Sequence, residues 1–252
     1  MKGPFTSVFD SASSKSNPDG LRWRLCSATR AATDKAVPGT FRMANHSVEF
    51  ASLLCSRLCH DLLSPVGALN NGIELLADET DPEMRARCME LLAESARASA
   101  NKLKFFRLAF GAAGGFADNV DTREAKGALE GLFGPDGRIQ LGWMVAEPSL
   151  PKGAIKILLN LALIAGDALV RGGRLDVGAE GGEIVVRAEG PRLVLDPELR
   201  NALLGKLGDD GITPRAAAAW LVHCLAIDMG GTIQISEPED GVLLFGATIP
   251  RG

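Results

Sequence analysis

The sequence predicts an α plus α/β architecture: an N-terminal antiparallel helical hairpin followed by an α/β sandwich. Three observations predict it. Two segments with apolar residues at helical spacing, 46–78 and 82–111, flank the turn-forming Asp78-Glu79-Thr80-Asp81-Pro82. Beyond Gly115 the texture changes to short β-like runs alternating with helical ones. The composition, 46% hydrophobic but only 5% aromatic, with no Tyr and 29 Gly, suits helix packing with some sheet. The 252 residues leave room for one or two domains with a real core.

Taken in order, residues 1–42 are rich in Ser, Thr, Pro, Gly and basic residues without periodicity, and read as a disordered extension. Met43 is a candidate start, because the helical pattern begins soon after it. The first helix spans 46–78, with Pro65 expected to kink it by removing one backbone hydrogen bond. Asp81 is the expected N-cap of the second helix and Pro82 its first helical residue. Met89, Leu92, Ala96, Leu103, Phe106 and Phe110 recur at helical spacing, and Gly111 to Gly115 end the helix. A single hairpin cannot bury its apolar stripe. Two hairpins from two chains close a four-helix bundle, so a homodimer is expected. The hairpin domain is 43–115 and the α/β domain 116–252. In the latter, strands are expected at Gln140–Val145, Arg174–Val177, Glu183–Ala188, Thr232–Ser236 and Val242–Ile249. Helices are expected at Thr122–Leu132, Lys152–Val170, Pro197–Leu204 and Pro214–Met229. No internal repeat is evident.

Charge and composition exclude several classes. Residues 1–42 hold seven Lys/Arg and three Asp/Glu, a balance of +4, which leaves -8 on the rest of a chain whose net charge is -4. A folded part that acidic argues against a nucleic-acid surface. No secretory h-region is present in the first forty residues. The apolar run Ile155–Val170 is short for a membrane span and is interrupted by Lys156, Asn160 and Asp167, so it reads as a buried helix. A cytoplasmic protein without membrane or nucleic-acid partners is expected. The five cysteines read as buried free thiols, with Cys55 and Cys59 on or near the core stripe and Cys88 and Cys224 in other apolar helical patterns. A Cys55-Cys59-His60-Cys88 metal site is disfavoured, because Cys59 and His60 diverge by about 100° on a helix and no Cys-x-x-Cys pair exists.

His60 is the candidate reactive residue. At about 100° per residue, Ala51, Cys55, Leu58, Leu62, Leu69, Ile73 and Leu76 cluster to one side of the first helix. His60 points nearly opposite, beside Leu53, Ser56, Arg57, Ser64, Gly67 and Asn71. The imidazole is therefore displayed to solvent, with Asp61 next to it. The other two of the three histidines, His46 and His223, read as structural.

The segment Cys59-His60-Asp61-Leu62-Leu63-Ser64-Pro65-Val66 resembles the phosphoacceptor box of two-component histidine kinases: histidine, acidic residue, two intervening residues, Ser/Thr/Asn, proline, hydrophobic. The hairpin resembles their dimerisation domain. Lys156-Ile157-Leu158-Leu159-Asn160-Leu161 is similar to the start of the kinase N-box helix. Gly230-Gly231-Thr232-Ile233 through Glu237, and Val242–Pro250, are similar to the end of the Bergerat-type ATP-binding domain. The likeness covers about residues 46–250 and departs at the nucleotide. The second N-box Asn, a Mg²⁺ ligand in the kinases, is Ile164. The Asp-x-Gly-x-Gly box reads Ala188-Glu189-Gly190-Pro191-Arg192. The glycine-rich phosphate segment is replaced by Gly211-Ile212-Thr213-Pro214-Arg215, in which proline offers no N–H and arginine resists positive φ. A kinase hairpin joined to a degenerate ATPase-like domain resembles the ChpT-type histidine phosphotransferases of alphaproteobacterial cell-cycle phosphorelays.

That resemblance implies a dimeric shuttle that takes a phosphoryl group from the receiver domain of a hybrid histidine kinase and passes it to response-regulator receivers. His60 would be the nucleophile, through Nε2. Asp61 would orient the ring and stabilise the cation formed, or be a solvated carboxylate. Arg57 would meet phosphoryl oxygens or make a helix-surface salt bridge. Ser64 would donate to phosphate or cap the proline kink. Gly67 and Asn71 would keep the surface low for a partner helix. No cofactor is expected on this chain, any Mg²⁺ belonging to the receiver, and Asn160 reads as a packed remnant. An ATP-dependent kinase with a divergent pocket, and a non-catalytic dimeric adaptor for receivers, are the competing readings.

Overall fold

The structure, a computed structural model, describes residues 43–111 (side chains from Val48 onward), 118–134, 137–207 and 211–250. The extension expected over 1–42, most of the Gly111–Gly115 terminator and the side chain of His46 lie outside the described residues. From Phe50 onward the described residues form one compact unit, which contains both the hairpin and the sheet.

Helices α1 (Met43–Asp78) and α2 (Pro82–Ala109) form the hairpin. The short turn is held by side chains that supply the partners helix ends lack. Asp81 caps α2 by accepting from the Met84 N–H at 3.0 Å, with Pro82 in the first turn. Arg85 reaches back and donates to the carbonyls of Leu76 at 3.1 Å and Glu79 at 2.7 Å. Helix α1 continues through Pro65 without interruption.

The second part comprises β1 (Asn119–Asp121), α3 (Thr122–Phe133), β2 (Ile139–Val145), β3 (Ser149–Pro151), α4 (Lys152–Ala168), β4 (Gly173–Glu180), β5 (Glu183–Glu189), α5 (Pro197–Leu203), α6 (Ala217–Asp228), β6 (Thr232–Ile235) and β7 (Val242–Thr248). Five strands make one sheet in the order β2-β4-β5-β7-β6, parallel only between β2 and β4. Gly181 and Gly182 close the β4–β5 hairpin at φ 69° and 89°, the two positive values that a type I′ turn demands. The expected elements are all present, with ends that move by a few residues. Helix α6 begins three residues later than expected, and β4 runs on to Glu180 because its pairing with β5 continues to the tight turn. The sequence reading missed the two-stranded ribbon β1–β3, whose strands of three residues are too short to display a period.

Helix α4 lies at the centre. Thirteen of its seventeen residues are buried, so it is apolar nearly all round rather than on one stripe. It packs on β4 and β5 on one side and against α2, α3 and α6 on others. Phe105, Phe106, Leu108 and Ala109 of α2 enter the same core, and Leu58 and Leu62 of α1 rest on it. Asn160 of α4 is fully buried. Its Nδ2 donates to the Ala109 carbonyl at 3.1 Å and the Lys156 carbonyl at 2.8 Å, which ties the end of the hairpin to the sheet domain.

The rest of the hairpin's apolar surface is left open among the described residues. Ile73, Leu75, Met89, Leu91 and Leu103 are exposed. The expectation of buried thiols holds for Cys88 and is corrected for Cys55 and Cys59, which are exposed, while Cys224 is half-buried. The physical reason is that the α1 stripe meets the core from Leu58 onward, which leaves Cys55 ahead of it uncovered, while Cys59 is turned about 100° from Leu58 toward the exposed side of His60.

Candidate functional site: the displayed histidine of the hairpin

The His60 side chain is 83% exposed and projects from α1 into solvent. Its Nδ1 lies 3.2 Å from Asp61 Oδ1. A carboxylate only accepts, so a hydrogen bond here requires the proton on Nδ1, and the neutral ring then keeps its lone pair on Nε2.

Asp61 is held from three directions. Its side chain is 18% exposed, and its Oδ2 accepts from Arg57 Nε at 2.7 Å. Its backbone carbonyl accepts from Lys102 Nζ at 2.7 Å. The last contact follows from Pro65. Residue 65 would normally donate its N–H to the carbonyl four positions earlier, which is that of Asp61, and proline has no N–H to give. The lysine of α2 takes the freed acceptor, so one proline places a cation from the second helix beneath the His60 turn.

Arg57 was expected on the displayed face and is instead turned under the sheet domain, its side chain 14% exposed. Besides Asp61 it donates from Nη2 to Asp167 Oδ2 at 3.2 Å and from Nη1 to the Arg215 carbonyl at 3.4 Å. Burial opposes its charge, but hydrogen bonds and Coulomb attraction from Asp61 and Asp167 outweigh burial and raise its pKa. Burial pushes the Asp167 carboxyl upward, with Arg57 pulling the other way. The guanidinium therefore acts as a strut between α1 and α4 rather than as a free phosphoryl contact.

Ser64 and Asn71 are exposed further along α1, and Gly67 is half-buried. A Cβ at Gly67 would meet nothing within 4 Å, so the groove there is open. The structure thus brings together His60, Asp61 and Arg57, and leaves Ser64, Gly67 and Asn71 as surface along the same helix. Three participants were missed by sequence reasoning: Lys102, Asp167 and the carbonyl of Arg215. Two had a signal. Pro65 announces an unpaired carbonyl at Asp61, and Asp167 is one of the few polar residues in a mostly apolar helix.

Among curated proteins, the protein phosphotransferase ChpT of Brucella abortus (strain 2308) is 34% identical over 206 residues, which cover 78% of this chain and 94% of that one. The chain belongs to the ChpT-type histidine phosphotransferase family. A family model described as histidine phosphotransferase C-terminal domain matches residues 122–241, the part from α3 to the end of the β6–β7 turn. A solved structure of a bacterial phosphotransferase is similar over 84% of this chain and all of that one, with 33% identity and a TM-score of 0.72. The phosphotransferase fold therefore includes both the hairpin with His60 and the sheet domain that braces it. None of the helices among the described residues is long and apolar enough to cross a membrane.

Proposed function

We propose that this chain carries a phosphoryl group on His60 Nε2 between receiver domains, taking it from the receiver of a hybrid histidine kinase and giving it to response-regulator receivers of a cell-cycle relay. The observation that carries the reading is an exposed imidazole whose Nδ1 is paired with a carboxylate. Nε2 attacks the phosphorus of an aspartyl-phosphate. The P–N bond forms as the acyl-phosphate P–O bond breaks, and the donor carboxylate leaves. The ring becomes cationic during the attack. Its Nδ1–H then hydrogen-bonds Asp61 more strongly, which stabilises the transition state more than the ground state. The reverse sequence hands the group to the next receiver. Mg²⁺ would travel with the receiver.

The replaced nucleotide positions support a relay that does not use ATP. Ile164 is buried on α4, and Ala188 is buried on β5, a strand that packs against that helix. Neither side chain can ligate Mg²⁺ or accept from an adenine amine. The uncovered apolar side chains of the hairpin support a homodimer closing a four-helix bundle, with two His60 sites on its outside. Absence of any membrane-length helix among the described residues is compatible with work in the cytoplasm.

The test is transfer of radiolabelled phosphate. Label arriving on the protein from a phosphorylated hybrid-kinase receiver, not from ATP, and lost in His60→Ala, is the expected result. Label arriving from ATP alone would restore the kinase reading, and a relay effect that survives His60→Ala would favour the adaptor.

A further inference from the structure

The acceptor helix does not position His60 unaided. A chain of contacts runs from the ring through Asp61 and Arg57 to Asp167 near the end of α4: 3.2 Å, 2.7 Å and 3.2 Å in turn. The order of charges along it matters. Arg57 engages the Asp61 oxygen that His60 does not use, and by itself would turn that carboxylate into half of a neutral pair. A neutral pair stabilises a developing imidazolium less than a carboxylate does. Asp167 supplies a second negative charge on the far edge of the same guanidinium, so the three side chains Asp61, Arg57 and Asp167 sum to -1, set against the Lys102 ammonium that sits on the Asp61 backbone carbonyl rather than on its carboxylate. Asp167 also occupies Nη2 and leaves Nε aimed at Asp61, which fixes the carboxylate plane against Nδ1.

We propose that Asp167 is a positioning residue for phosphoryl acceptance, acting through Arg57 and Asp61 on the tautomer and orientation of the His60 ring. The sheet domain is on this account a working part of the acceptor site. The inference rests on the reading that His60 takes the phosphoryl group. No bond is made or broken at Asp167. Its side chain is 52% exposed, so water screens it and a several-fold effect is expected rather than an abolition.

The experiment compares the full chain with Asp167→Asn, Asp167→Glu and a control, Glu124→Gln, whose carboxylate pairs with Arg107 on an exposed surface at 3.8 Å. Single-turnover labelling by a phosphorylated receiver is followed across receiver concentrations, and ¹⁵N resonances of the imidazole report the tautomer. Asp167→Asn is expected to lower the saturated rate about three- to tenfold without moving the half-saturating concentration. The fraction of neutral ring protonated at Nδ1 should fall as well. Asp167→Glu should recover most of both, and Glu124→Gln should change neither. A change confined to the half-saturating concentration would overturn the proposal, since it would make Asp167 a docking residue. An unchanged rate and tautomer would also overturn it. If the parent protein accepts no label, the reading of His60 has failed by itself. The imidazole signal then still decides the present inference: it fails if Asp167→Asn leaves the tautomer where it was.

Discussion

At the scale of single residues, the exposure of His60 separates its chemical role from the stability of the fold. His60→Ala should abolish phosphoryl acceptance yet melt within about 1 °C of the parent in calorimetry, because a solvent-facing side chain contributes little to stability. Lys102 is different, because it satisfies a carbonyl. Lys102→Met should cost about 1–2 kcal/mol in chemical denaturation by leaving the Asp61 carbonyl without its ammonium. The same change made in a Pro65→Ala background should cost less, since alanine restores an N–H able to take that carbonyl. Equal costs in both backgrounds would disprove the link between the proline and the lysine. How legible these residues were follows their dependence on helical phase. The direction of His60 and the proximity of Asp61 depend only on 100° steps along one helix, and both were readable. Arg57 was assigned to the displayed face for the same reason, yet long side chains turn toward the nearest carboxylates, and one of these comes from a helix 110 residues away in the chain.

At the scale of elements, α1 joins two surfaces with opposite requirements. Leu58 and Leu62 rest on the core of the sheet domain, while the side holding His60, Ser64 and Gly67 stays open. Glycine in a helix interior costs about 1 kcal/mol relative to alanine, and nothing lies near the Gly67 Cβ position. Gly67→Ala should therefore raise stability by up to about 1 kcal/mol, whereas Gly67→Trp should fold and yet accept label poorly from a phosphorylated receiver, a difference seen by combining denaturation with transfer assays. The elements themselves were legible because their periods are long and a stop such as Asp81-Pro82, which opens α2, is chemically marked. The β1–β3 ribbon and the start of α6 were not, because three residues carry no period and Pro214 marks the turn before α6 rather than its first residue. Burial of Cys55 was misjudged because an apolar stripe says which side of a helix can be covered, not how far along it the cover extends.

At the scale of the whole molecule, apolar area exposed on the hairpin sets the expected assembly. Ile73→Asp combined with Leu91→Asp should convert the expected dimer into a monomer in sedimentation velocity, while the sheet domain keeps its far-ultraviolet signal. A variant pair that leaves the sedimentation coefficient unchanged would remove the bundle from consideration. The hairpin and the sheet domain are joined by the buried Asn160 contact with Ala109, by the Phe105 and Phe106 rings in the shared core, and by the Arg57 strut. Asn160→Leu should cost about 2–3 kcal/mol, because it removes two hydrogen bonds from a packed site. Sequence reasoning placed Asn160 in the sheet domain but did not foresee that its partner would be the last turn of the hairpin, which is a long-range contact without a local signature.

The Asn160 contact has a mechanical meaning. It anchors the foot of the hairpin while Arg57 anchors it near the reactive turn, so the sheet domain is clamped to the two helices at separated points. To swing or rotate that domain over the hairpin, thermal motion would have to strip a fully buried amide of its partners and pull an arginine from two carboxylates at once. A body clamped in this way is ill suited to converting a stimulus into movement. On the proposed function it would be a passive conductor, the direction of phosphate flow being set by which neighbours are loaded and how many there are.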